Sequence, residues 1–191
     1  MTNRKSEIVW LLIIFVCALL LRLYALSYLP QRPITDDAFE YDYIARNIPK
    51  VLNNEVLENR DTFLYRGAKR GWLYPSFIAV TYAIFGNNPF YVLLLQTLLA
   101  SFTCILVYAI GRELFGRKVG ILASLVSAFY PAFLFYSTIL FQETTAIFLL
   151  TLFVFLLCRA IAHKKPLLYF ISGILITVVS FYRSGFLLFL V

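Results

Sequence analysis

The run from Ile8 to Leu29 carries a single charge, Arg22, and is long enough to cross a hydrocarbon core, which takes about 20 residues of helix. Further apolar runs follow at Phe90 to Ile110, Val119 to Leu140, Thr144 to Leu157 and Leu167 to Tyr182. The 191 residues are 61% hydrophobic and 18% aromatic, with mean hydropathy +0.81, more apolar surface than a soluble domain of this size can bury. The expected fold is all-α and polytopic, because a spanning segment must satisfy its own backbone. The first run follows Arg4 and Lys5 as a signal peptide would. It is too long for a signal core and lacks a small-residue cleavage site, so it reads as a retained anchor. Cys17, Cys104 and Cys158 all fall inside apolar runs, where they act as small hydrophobes with no disulfide or metal spacing.

The net charge of +7 is not a nucleic-acid signature, because the charges sort by segment. Between Arg32 and Arg70, seven bases (Arg32, Arg46, Lys50, Arg60, Arg66, Lys69, Arg70) balance seven acids (Asp36, Asp37, Glu40, Asp42, Glu55, Glu58, Asp61). The excess lies in the N-terminus, in GRELFGRK and in RAIAHKK, where Arg4, Lys5, Arg112, Arg117, Lys118, Arg159, Lys164 and Lys165 face only Glu7 and Glu113. The positive-inside rule puts those three segments in the cytoplasm and makes 30–89 an outer loop. The expected localisation is an integral, multi-pass protein of the plasma (inner) membrane with a cytoplasmic N-terminus.

That topology leaves one apolar run over. If Trp72 to Phe85 crossed, GRELFGRK would lie outside and break the charge rule. At about 1.5 Å per residue it is also too short for a core of about 30 Å. It is expected to be a partly embedded or re-entrant helix, with Gly86, Asn87, Asn88 and Pro89 turning into the next span. Earlier in the loop, Thr35 is a candidate N-cap with Asp36 and Asp37 in the first turn. Ala38, Tyr41, Ala45 and Ile48 fall on one apolar face that Pro49 is expected to end, giving a short interfacial helix. Asn53 to Arg66 is polar, shows no pattern and reads as a mobile stretch. Pro131 is expected to kink its span, with neighbours satisfying the freed carbonyl.

Four carboxylates fall within seven residues, Asp36 to Asp42. Asp36 and Asp37 either complement a helix N-terminus or supply a general base at the membrane surface. Arg66, Lys69 and Arg70 stand just before the short helix, where they meet lipid headgroups or clamp a substrate phosphate. Glu143 either caps a membrane helix or adds a second acid. Arg183 in FYRSG either snorkels or faces the same cavity. Arg22 snorkels outward or pairs within the bundle. Tyr41 and Tyr74 are belt aromatics or orient a phosphate or sugar. His163 lies in a basic segment and carries little catalytic weight. No ligand spacing demands a metal, no cofactor is certain, and a divalent ion is left open.

The segments DAFEYDYIARNI, RGWLYPSFIAVTYAIFGNN, YAIGRELFGRKVGILASLVSAFYPAFLFYSTILFQE and FYRSG, in this order after a first span, resemble the N-terminal part of GT-C fold glycosyltransferases. Within these the chain is most similar to the protein O-mannosyltransferase and lipid A aminoarabinose transferase group. The resemblance covers nearly the whole chain. It implies a GT-C-like bundle over 1–191, with 8–29 the first span, 30–89 an outer loop with interfacial helices, and 90–191 further spans. It also implies an inverting transfer of sugar from a polyprenyl-phosphate donor to a lipid, glycan or protein acceptor on the outer face. The family's essential Asp, four residues before a Tyr, maps to Asp37 before Tyr41. The Glu that often follows it is Ala38 here, so a second acid falls to Asp36 or Glu40, or is absent. The family's donor-phosphate base maps to Arg70 before Tyr74, with Lys69 beside it and Trp72 where a Pro is usual. Relatives carry more spans, so the chain reads as a fragment, a split protein or a truncated product. Two other readings stand beside the enzyme: a non-catalytic membrane subunit or pseudoenzyme that binds polyprenyl phosphate, and a small-molecule transporter. The second is disfavoured because the charges avoid mid-membrane broken helices.

Overall fold

The computed structural model describes residues 4–28, 36–57 and 59–182, and these are helical apart from short turns. Thr35 and Arg183 lie outside the described residues. Among the described residues the order is α1 (Arg4–Tyr28), α2 (Asp36–Leu52), α3 (Arg60–Arg70), α4 (Leu73–Phe85), α5 (Pro89–Phe115), α6 (Arg117–Phe129), α7 (Pro131–Ser137), α8 (Glu143–His163) and α9 (Pro166–Tyr182). The chain is an all-helical polytopic membrane protein. α1, α5 and α8 are long and apolar enough to cross, and α6 with α7 makes a fourth crossing if the bent pair is one span. α9, described over 17 residues, covers the run expected at Leu167 to Tyr182 and falls short of the about 20 residues a crossing takes. α4 has 13 residues, as the short apolar run predicts, and Asn88 then caps α5 by accepting from the Phe90 N–H at 3.0 Å.

α5 is the central post: α1, α6 and α8 all pack on it. It meets α6 through glycines. A Cβ on Gly111 would stand 2.9 Å from Gly120 Cα, and one on Gly120 would stand 2.8 Å from the Tyr108 carbonyl oxygen. Small residues thus let two backbones approach where lipid provides no hydrophobic drive. Gly116, at φ +90°, makes the turn between the two helices.

The predicted kink at Pro131 is a 54° break between α6 and α7. A proline has no N–H to give the preceding turn, and α6 ends with carbonyls short of donors. Arg22 supplies them. Its side chain is fully buried and donates from Nη1 to the Ala128 oxygen at 3.4 Å and to its own Ala18 oxygen at 3.1 Å, while Nη2 reaches Cys104 Sγ at 3.9 Å. Of the two readings of Arg22, pairing within the bundle is the one observed.

Two expectations for the loop are corrected. Pro49 does not end α2, which runs on to Leu52 and closes where Asn54 adopts φ +57°, with the Glu55 N–H bonded to the Lys50 oxygen at 2.9 Å. A proline in the last turn removes one donor only, and asparagine tolerates the left-handed conformation that terminates a helix. The polar stretch from Asn53 to Arg66 is not unpatterned: from Arg60 it forms α3, with Phe63 and Gly67 four residues apart on its buried side. Gly67 lies beneath Trp72, whose ring atoms would stand 2.2 Å from any Cβ there. The signal is tertiary, since only two small or apolar positions face inward.

Candidate functional site

α2 and α3 come together at one end of the bundle over the short helix α4. The apolar face predicted for α2 is what seats it. Ala38, Tyr41 and Ala45 are buried with Tyr74, Ile78, Ala79 and Tyr82 of α4, and Ile48 packs at the edge. A polar latch fixes the register: Tyr82 donates to Asp42 Oδ1 at 2.5 Å, and Asp42 Oδ2 accepts from Arg46 Nε at 2.8 Å. Arg66 lies over the rings of Tyr43, at 4.8 Å, and Phe39, at 5.7 Å, so this base docks α3 on α2.

On this platform the acids and bases of the loop converge. Arg70, near the C-terminus of α3, pairs with both Asp37 and Glu40 of α2, one turn apart, and Lys69 Nζ stands 3.8 Å from Glu40 Oε1. Basic residues are favoured in the last turn of α3 and acidic ones in the first turn of α2, so the two helix dipoles help to hold the cluster. Burial acts to raise the Glu40 carboxyl, but the Arg70 hydrogen bond and charge, with Lys69 and Arg66, outweigh it and hold it below the ordinary range. Burial likewise acts to lower the Arg70 guanidinium, and Glu40 and Asp37 reverse that and raise it.

Beside the cluster opens a cavity of about 260 Å³ lined by Tyr41, Lys69, Arg70, Gly71, Gln142 and Tyr182. Burial foremost, then the charge of Glu143, pushes the Tyr41 phenol up to about 12, with Arg70 pulling the other way. Tyr41 is therefore a neutral hydroxyl at working pH, able to donate. The cavity presents two cations and two phenols at the end of an apolar bundle, with the Asp37 and Glu40 carboxylates behind Arg70, which suits an anionic amphiphile with a polar reacting group. Among the described residues no three His, Cys, Asp or Glu side chains gather as metal ligands, and the acids nearest the cavity engage Arg70.

The structure brings together Asp37, Arg70, Lys69 and Tyr41, with Glu143 at the start of α8 close enough for its charge to act on Tyr41. It does not bring Asp36 in: that residue is exposed in the first turn of α2 and makes no ion pair with a described residue. Tyr74 sits beneath the cavity. It is buried, meets Tyr41 edge-on at 4.9 Å, and donates to Gln96 Oε1 at 2.6 Å.

From the sequence alone Gln96 has no role in the site, and Glu40 enters only as an alternative to Asp36 for a second acid. Gln96 is fully buried and donates to the Tyr136 and Ile139 carbonyls, at 3.3 and 3.0 Å, while accepting from Tyr74. It ties the end of α7 to the floor of the site. An amide inside the run FYVLLLQTLLA was the available signal, since polar residues within a span are rarely idle. The pairing of Glu40 with Arg70 had no such signal, because the two are thirty residues apart.

A family model described as dolichyl-phosphate-mannose-protein mannosyltransferase matches residues 69–191, which includes Lys69, Arg70, Gln96 and Glu143. No curated protein and no solved structure matches the chain.

Proposed function

The chain belongs to the dolichyl-phosphate-mannose-protein mannosyltransferase family of membrane glycosyltransferases, and from that premise we propose that it moves a sugar from a polyprenyl-phosphate donor to an acceptor on the outer face of the membrane. The observation that carries this reading is the shared pairing of Arg70 with Asp37 and Glu40 at the mouth of the cavity. A guanidinium has five N–H donors, so two carboxylate contacts leave donors for a phosphate. Arg70 and Lys69 hold the donor phosphate, and Tyr41 donates to it or to the sugar.

As the phosphate engages Arg70 it competes with Asp37 and frees that carboxylate toward the acceptor. Asp37 then takes the proton from the acceptor hydroxyl or amine, whose heteroatom attacks the anomeric carbon in line. The bond to the phosphate oxygen breaks, the anomeric centre inverts, and the departing polyprenyl phosphate keeps the electron pair beside Arg70 and Lys69. Glu143, whose charge reaches Tyr41, is proposed to contact the sugar, and Arg183 is proposed as a further substrate contact. Asp36 serves as a charge on the α2 N-terminus. The basic N-terminus, GRELFGRK and RAIAHKK support a plasma-membrane orientation with the N-terminus in the cytoplasm.

The test is mannosyl transfer from radiolabelled polyprenyl-phosphate mannose to membrane acceptors by the purified protein in liposomes, with Arg70→Ala in parallel. Label transferred by the wild type and lost in R70A together with donor binding supports the reading. Donor bound tightly with no transfer by the wild type would make the chain a lipid-phosphate-binding subunit instead.

A further inference from the structure

The end of the bundle opposite the Asp37 cluster holds a second opening. A furrow of about 500 Å³ runs along α5, with α1 and α8 as its walls, and both helices pack on α5. Its floor is Ile105, Ala109 and Arg112 of α5, which recur at helical spacing on one face. Leu11 of α1 forms one wall, and Phe155, Arg159 and His163 of α8, each one turn from the last, form the other. Apart from the Tyr108 phenol the inner part is hydrocarbon, and the charges gather at the last turns of α5 and α8. That is the layout of an amphiphile lying parallel to the helices.

The charges at the mouth decide its headgroup. Arg112 is engaged by Glu7 of α1 at 3.1 Å. Arg159 lies over its own neighbour Phe155, 5.9 Å from the ring centre, and makes no ion pair with a described residue. Glu113 also lines the furrow and makes no ion pair with a described residue. A cation and a carboxylate therefore face one opening without meeting each other. An anionic headgroup would satisfy Arg159 and be repelled by Glu113, while a quaternary ammonium offers Glu113 no N–H. A headgroup with a phosphate and a primary ammonium satisfies both.

We infer that this furrow is a seat for a zwitterionic phospholipid bearing a primary ammonium, with its phosphate on Arg159, its ammonium on Glu113, and one acyl chain against Leu11, Ile105 and Phe155. The seat is independent of the transfer chemistry. It would couple the leaflet at this end to the helices that carry the site at the other.

The test is lipid titration of the purified protein by native mass spectrometry, with dioleoyl phosphatidylethanolamine, phosphatidylcholine and phosphatidylglycerol as probes. The wild type is expected to prefer the ethanolamine lipid by about fivefold, about 1 kcal/mol, the scale of one charge near the membrane surface. Glu113→Gln should bring that lipid down to the choline level. Arg159→Gln should weaken all three, and Ala109→Phe, which fills the floor, should do the same without altering charge. Lys118→Gln, which removes a base at the same end outside the furrow, should leave the preference intact. Tighter binding of phosphatidylglycerol, no discrimination by the wild type, a preference that survives E113Q, or loss of the preference in K118Q would each overturn the proposal.

Discussion

Arg22 and Arg70 are both arginines with several partners, and they do opposite things. Arg22 is fully buried beside the α6–α7 break and is met by carbonyls and a thiol. Arg70 stands at the mouth of a cavity, partly exposed, and is met by two carboxylates. A carbonyl partner from the protein's own backbone cannot be exchanged without unfolding a turn. A carboxylate at an open surface competes with any phosphate that arrives, because both present anionic oxygens to the same guanidinium. The first arrangement holds a shape, and the second is suited to give way to a ligand.

The comparison breaks if the two residues can be interchanged in their effects. Arg70→Ala should lower sugar transfer by about a hundredfold or more, the scale of removing one donor to developing charge. Its thermal stability in detergent should change by less than about 1 kcal/mol, as for exposed ion pairs. Arg22→Ala should do the reverse, destabilising by about 3 kcal/mol through lost charge-assisted hydrogen bonds and a cavity, with transfer per folded molecule largely kept. Chemical unfolding monitored by tryptophan fluorescence, read beside the transfer assay, separates the two.

Gln96 sharpens the comparison because it lies between the regions. Gln96→Leu orphans the Tyr74 hydroxyl and two carbonyls, and should destabilise by about 2 kcal/mol. It should also raise the donor KM more than it lowers kcat, since it loosens the floor under Tyr41 and removes no group from the cavity. The smallest effect expected is one of pH. The folded-state carboxyl of Glu40 is depressed, so its contribution is complete above the ordinary glutamate range and is lost as pH falls through the depressed value. A pH series of melting temperatures for wild type and Glu40→Gln should converge on acidification and separate above the ordinary glutamate range.

What the sequence made legible follows from periodicity and charge. α1 and α5 announce themselves as long apolar runs, α8 shows only its Thr144 to Leu157 part because Arg159 and His163 interrupt the pattern, and the shortness of α4 follows from the same count. The face Ala38, Tyr41, Ala45 and Ile48 identified the seat of α2 before its partner was known. α3 was hidden, because a helix held by Phe63, Gly67 and a tryptophan packed from the next element has no apolar stripe to detect. Arg22 left two readings open because the donor-poor carbonyl it serves belongs to a helix about a hundred residues on, 106 in separation. The resemblance placed Asp37 and Arg70 in one site, and only the packing of α3 on α2 adds Glu40 as their common neighbour.

The central claim is that Asp37 and the donor phosphate compete for Arg70. It is tested most directly by measuring the dissociation constant for polyprenyl-phosphate mannose in wild type and in Asp37→Asn, with transfer read on the same samples. The account predicts that D37N binds donor at least as tightly as wild type while transfer falls by about a hundredfold or more, the range of a lost general base. Weaker donor binding in D37N, or transfer at the wild-type rate, would contradict it.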